Sequence, residues 1–210
     1  MTQSIQIKNQ NFVMHPAGVL FWKEKSILLI SDVHLGKVSH FRKFGAAVPR
    51  KAIQKNFDLM DEAIDYFQPD MVVFLGDLFH SSLNKEWGLF EKWASTVVSE
   101  IVLVAGNHDI ISPLKYESLG IRVVSEIQLN GFLLTHHPEE RASFFTFSGH
   151  IHPAVRLHGI GRQSLRLSCF FKLENQMILP AFGTFTGTHV LEAKENDEVF
   201  VVAQNEVVKI

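Results

Sequence analysis

Three stretches of this chain are apolar almost without interruption: Ser26-Ile27-Leu28-Leu29-Ile30, Met71-Val72-Val73-Phe74-Leu75 and Ile101-Val102-Leu103-Val104-Ala105. Short continuous runs rich in β-branched residues are the sequence form of strands covered on both faces. Each gives way at once to polar and turn-forming residues: Ser31-Asp32-Val33-His34, then Gly76-Asp77, then Gly106-Asn107-His108-Asp109. Between the runs the period changes. Ile53, Phe57, Met60, Ile64 and Phe67 keep helical spacing, with Pro49 suited to a first turn. Trp87, Phe90 and Trp93 give an apolar face to a second helix, expected from Asn84 to about Val98. Strand and helix thus alternate in the first half, and open α/β sheets bind ligands beyond the carboxyl ends of such strands.

Shorter strand-like runs flank this region. Ile5 to Ile7, Phe12 to Met14 and Val19 to Trp22 precede it. Ser112-Pro113 reads as the N-cap and first position of a short helix ending near Gly120. Beyond it come Ile121 to Val124, Glu126 to Leu129 and Phe132 to Leu134, the last two joined by an Asn130-Gly131 hairpin turn. Phe144 to Phe147 leads into Gly149-His150-Ile151-His152, and the strand-like character continues to Val207-Val208. No repeat or linker breaks the pattern, so one α/β sandwich domain is expected over residues 1–210.

Composition narrows the class. A hydrophobic fraction of 46% and a charged fraction of 20% fit an ordinary globular protein, and 18 Phe residues predict a Phe-rich core. The net charge of −2 does not mark a nucleic-acid binder. The single Cys169 cannot form an internal disulfide and reads as a small buried residue. The start, Met1-Thr2-Gln3-Ser4, lacks the layout of a signal peptide, and no apolar run approaches ~18 residues; a cytoplasmic protein without membrane contact is expected. The eleven His residues are the first pointer to metal chemistry.

Asp32 and His34 lie two apart at a strand end, where a loop can turn both toward one ion, and His150 and His152 repeat the relation. Asp77 has two carboxylate oxygens and can bridge a pair of ions; Asn107 adds a neutral oxygen. Thr135-His136-His137-Pro138 adds a nitrogen, from His136 as the first His after its strand or from His137. A mixed N/O set without sulfur suits manganese, iron or zinc and argues against a closed structural zinc site. Two cations ~3.5–4 Å apart clamp the attacking and leaving oxygens in displacement at phosphorus, with a hydroxide held between them as nucleophile. His108 is placed on the leaving-group oxygen as acid or electrostatic stabiliser, and Asp109 joins it in the catalytic turn, orienting the turn or His108 rather than binding metal.

Together, Asp32-x-His34, Gly76-Asp77, Gly106-Asn107-His108-Asp109, His136 and Gly149-His150-x-His152 resemble the five-block signature of the calcineurin-like metallophosphoesterases. The resemblance implies a four-layer double β-sandwich flanked by helices. It implies one ion on Asp32, His34, Asp77 and His152 and another on Asp77, Asn107, His136 and His150, manganese being the expected metal. A narrower likeness rests on Asp32-Val-His-Leu-Gly-Lys37, Phe41-Arg42, Gly45 to Pro49, Leu75-Gly-Asp-Leu-Phe-His80, Leu165-Arg-Leu-Ser-Cys-Phe170, Leu179-Pro-Ala-Phe-Gly183 and Phe185-Thr-Gly187. These are similar to the bacterial ligase-associated DNA damage response endonucleases, which implies a functional link to an ATP-dependent DNA ligase and a helicase.

A nucleic-acid phosphodiester is therefore the expected substrate. Two stretches without carboxylates support it. Lys37 to Asn56 holds Lys37, Arg42, Lys43, Arg50, Lys51 and Lys55; Arg141 to Leu173 holds Arg141, Arg156, Arg162, Arg166 and Lys172. Lys37 and Arg42 are the expected phosphate contacts, against the plain reading of a solvated basic face, and His80 is a candidate to line the cleft. His15, His158 and His189 read as ordinary histidines. The alternatives are a small-molecule or nucleotide phosphodiesterase or phosphatase, and a metal-binding scaffold without catalysis, which would be expected to lack ligands or His108.

Overall fold

The computed structural model describes residues 1–39, 51–80, 82–161 and 163–210. Arg42, Lys43, Arg50 and Arg162 of the two basic stretches lie outside the described residues, as do Phe41 and Gly45 to Pro49.

The first sheet has seven strands in chain order: β1 (Gln3–Ile7), β2 (Gln10–His15), β3 (Val19–Trp22), β4 (Ile27–Ile30), β5 (Met71–Leu75), β6 (Glu100–Val104) and β7 (Arg122–Val124). Its first four strands are antiparallel neighbours, and β4 to β7 run parallel. Helix α1 (Lys51–Phe67) links β4 to β5, and α2 (Lys85–Ala94) links β5 to β6. The short α3 (Pro113–Glu117) follows β6.

The continuous apolar runs are explained by a second layer on each side. Leu28, Ile30, Val72, Phe74, Ile101 and Leu103 pack on Phe57, Met60 and Ala63 of α1 and on Trp87, Phe90 and Trp93 of α2. Their alternates, Leu29, Val73, Leu75, Val102 and Val104, face the second sheet. That sheet contains β8 (Ile127–Leu129), β9 (Phe132–Leu134), β10 (Phe145–Ser148), β11 (Pro153–His158), β12 (Ser164–Lys172), β13 (Gln176–Ile178) and β14 (His189–Val190), in the order β14-β11-β12-β13-β10-β9-β8. The hairpin β15 (Glu198–Ala203) and β16 (Glu206–Lys209) pairs onto β12. The inter-sheet core is Phe-rich as expected, with Phe12, Phe132 and Phe147 in mutual ring contact at 4.8 to 5.7 Å. Among the described residues no helix is long and apolar enough to cross a membrane.

Two details differ from expectation. Helix α2 stops at Ala94 rather than near Val98, because Ser95 and Thr96 turn back onto the backbone carbonyls of Glu91 and Trp93. Ser112 begins α3 as predicted, yet its side chain makes no capping hydrogen bond.

Candidate metal centre

Strands β4, β5 and β6 end side by side, so residues 31–36, 76–80 and 105–109 emerge at one edge. In the second sheet β9, β10 and β13 are parallel and deliver residues 135–137, 149–152 and 179–187 to the same edge. Backbone hydrogen bonds join the two sets, Phe182 N donating to Ser31 O at 2.9 Å and Gly183 N to Asp32 O at 3.1 Å, while Gly149 N to His136 O at 3.1 Å ties two loops of the second set together. The approach is so close that a Cβ on Gly76 would stand 2.2 Å from His136 Nδ1. One on Gly106 would stand 2.3 Å from Asp77 Oδ1. Asp32, His34, Asp77, His150 and His152 all take left-handed backbone conformations, with φ between 51° and 68°.

The side chains converge in two groups. In the first, His152 Nε2 lies 3.2 Å from Asp32 Oδ1 and 3.3 Å from His34 Nε2. In the second, His136 Nε2 lies 3.0 Å from Asn107 Oδ1 and 3.2 Å from His150 Nδ1. Asp77 stands between them, Oδ2 3.8 Å from His34 Nε2 and Oδ1 3.4 Å from His136 Nε2. The amides of His150 and His108 donate to Asp32 Oδ2 and Asp77 Oδ1, each at 2.9 Å, and fix both carboxylates.

These residues fit divalent cations on their own chemistry. His136 Nδ1 faces the carbonyl of Leu75 at 2.9 Å and His152 Nδ1 that of Gly187 at 3.0 Å. A carbonyl can only accept, so the proton sits on Nδ1 and the Nε2 lone pair is aimed into the site. Electron-rich atoms therefore point at one another across 3.0 to 3.4 Å, an arrangement that a cation reconciles. Burial pushes His34 down to about 3, against attraction from Asp32, so its imidazole is neutral and ready to ligate. Burial would raise Asp32, but the close approach of His152 and the other imidazoles around it more than offset this and hold its carboxyl below the ordinary range.

Other singled-out residues fall around this centre. The ring of His108 is 5.5 Å from that of His34, and His80 stacks on His108 with centroids 5.1 Å apart. Asp109 spends both oxygens on backbone, accepting from Gly106 N at 2.9 Å and Phe79 N at 3.2 Å, so its part is to hold the turn. Burial raises Asp109 to about 6, those hydrogen bonds working the other way. Lys37 is half-buried and within the field of Asp32 and Asp77. His137, the other candidate in its block, is exposed with its ring 4.2 Å from that of His150, whereas His136 is buried and reaches Asp77. Two cations of the second basic stretch are neutralised, contrary to their reading as polyanion contacts. Arg141 pairs with Glu126 at 2.8 Å and Glu139 at 2.5 Å, and Lys172 pairs with Glu198 at 2.7 Å.

Sequence reasoning missed Glu86. This buried carboxylate accepts from Gly36 N at 2.7 Å, Ser39 N at 3.1 Å and Ser39 Oγ at 2.6 Å, and so holds the loop that carries Lys37. Its only sequence signal was a Glu two residues after the Asn84 cap, which reads as an ordinary first-turn acid.

A mixed double sandwich with carboxylates and imidazoles gathered at one strand edge defines a metal-dependent hydrolase of phosphoester bonds. The chain belongs to the calcineurin-like phosphoesterase family, which its residues 25–168 match. Enzymes of this family work with two metal ions, and the grouped Asp and His side chains meet that need. Comparison with curated proteins gives no significant match. Among solved structures, the nuclease MPE of Pseudomonas putida is similar with a TM-score of 0.84 and 27% identity, over 99% of this chain and 100% of that one. The phosphoesterase Yfce of E. coli gives a TM-score of 0.47 and 13% identity over 88% of this chain and 97% of its own. A protein of unknown function from Aquifex aeolicus gives 0.44 and 15% over 65% and 82%.

Proposed function

We propose that this protein is a two-metal phosphodiesterase that cuts nucleic acid. The observation that carries the reading is Asp77, whose two oxygens face two separate His-containing groups, as a bridging carboxylate must. Asp32, His34, Asp77 and His152 would hold one cation and Asp77, Asn107, His136 and His150 the other, manganese first, with iron and zinc compatible. When bound, such a pair neutralises charge developing at phosphorus and makes water a nucleophile near neutral pH.

The chain's own residues supply the rest. His108, fixed through its amide to Asp77, is placed to stabilise or protonate the leaving oxygen. Asp109 positions the turn beneath it, and the His80 ring limits how His108 can rotate while lining the cleft. Lys37, held beside the two carboxylates, is a contact for a phosphate oxygen, and Arg42 is kept as a second. Similarity over the whole chain to a bacterial nuclease supports a nucleic-acid substrate over a small diester. The motif likeness to the ligase-associated endonucleases extends the proposal to DNA repair in the cytoplasm, alongside an ATP-dependent ligase and a helicase.

The test is hydrolysis of an aryl phosphodiester, its monoester and a single-stranded oligonucleotide in Mn²⁺. Cleavage of diester and oligonucleotide, both abolished by Asp77→Asn, is the expected result. An intact oligonucleotide with a cleaved diester would make the protein a small-molecule phosphodiesterase. No turnover with two metals bound would make it a scaffold.

A further inference from the structure

Strand β11 begins at Pro153, one residue beyond His152, and runs out from the metal centre to form a hairpin with the first half of β12. In its register Arg156 lies directly opposite Arg166, both exposed. Like charges in that relation repel and weaken a sheet. Among the described residues neither guanidinium has a carboxylate partner. No Asp or Glu occurs from Arg141 to Leu173, and the other described cations of that stretch are paired off as described above.

Alternation tells which way the pair faces. Val155, Leu157 and Leu167 pack with Cys169 and Phe171 on the outer side of the second sheet. Arg156 and Arg166 therefore share the opposite side with Phe170, which lower down enters the core between the sheets. That is the side on which the first sheet lies. At about 3.3 Å per residue, Arg156 stands ~13 Å along the strand from His152.

We propose that the β11–β12 hairpin is a guide arm for a nucleic-acid strand, with Arg156 and Arg166 gripping one backbone phosphate a few nucleotides from the one being cut. An unpaired arginine couple at this distance matches a polyanion that continues past the metals, and a small phosphodiester cannot reach it. The inference rests on the nucleic-acid reading above and deepens it.

The experiment uses the Mn²⁺-loaded full chain and its Arg156→Gln/Arg166→Gln double variant, with Arg156→Lys/Arg166→Lys as the conservative control. Three quantities are read: anisotropy binding of a labelled single-stranded oligonucleotide across salt concentrations, its cleavage, and hydrolysis of an aryl phosphodiester. The Gln variant is expected to weaken oligonucleotide binding on the order of tenfold and to flatten the log–log salt slope by about 0.7, the value for one lost phosphate contact to a single strand. Aryl diester turnover should stay within twofold, the Lys variant should bind nearly as wild type, and the thermal midpoint should hold or rise as the repulsion is relieved. Unchanged oligonucleotide binding, or an equal fall on both substrates, would overturn the guide arm. Oligonucleotide that is bound through the arginines but never cut would leave the arm standing and remove the nuclease reading. Failure of the wild type to bind it at all would remove both.

Discussion

Glu86 holds the backbone of Gly36, its Oε2 accepting the amide proton at 2.7 Å while Oε1 takes both Ser39 donors. A residue on α2 thereby sets the path of the chain just after Asp32 and His34. Glu86→Ala is expected to leave those donors without partners, at about 1–3 kcal/mol for each that stays buried, and to release Lys37. A melt of the variant should show the lost stability, and kinetics on an aryl phosphodiester should show KM rising more than kcat falls. A stable variant with unchanged KM would separate Glu86 from Lys37.

Gly76 takes φ +83° and leaves its Cα against the His136 ring. A methyl group there must displace the imidazole and with it the hydrogen bond from Nδ1 to Leu75 O. Gly76→Ala should cost on the order of 10–100-fold in affinity at one of two metal sites, as loss of an orienting contact does. Metal content after dialysis reports this directly: one ion per chain is the expected result, two the contrary one.

His108→Ala removes the imidazole but keeps the amide that binds Asp77 Oδ1. Both ions should remain, with turnover down on the order of 10²–10⁴-fold for poor leaving groups and far less for a nitrophenolate. Rates falling equally for both kinds of leaving group would move His108 from the leaving oxygen to another role.

The metal-free protein should lose stability on acidification partly through His34. Its imidazole protonates near 6.5 when the chain is unfolded and only near 3 when folded, because it is buried. The unfolded state therefore binds more protons in that window, so the contribution is complete above pH 6.5 and is lost as the pH falls towards 3. His152, raised by the Asp32 carboxylate beside it in spite of burial, acts in the opposite sense. Chelator-treated wild type should thus show a steeper fall in melting temperature from about pH 7.5 to about pH 5 than His34→Asn. Equal slopes would exclude His34 as the source.

The parts of the structure legible in the sequence are those with a local period. Leu28 to Ile30, Val72 to Leu75 and Ile101 to Val104 announce strands covered twice, and the residues behind them announce the site. What stayed hidden depends on contacts distant in sequence. Glu86 looks like a helix-end acid until Gly36 is seen above it, and Arg141 looks like a free cation until Glu126 closes on it. Residues 179–187 carried a family likeness in sequence, but nothing in them tells that Phe182 and Gly183 tie the second sheet to Ser31 and Asp32.

Five side chains of the metal centre stand on left-handed backbone that residues with a Cβ avoid at a cost of roughly 1–2 kcal/mol each. Their sum is comparable with the whole margin of about 5–15 kcal/mol that keeps a domain folded. The centre is thus a standing load that the rest of the fold must carry. In a lineage no longer selected to cut phosphoesters, glycine at these five positions would be favoured by stability alone. The catalytic centre would then disappear from such descendants long before the sandwich that carries it.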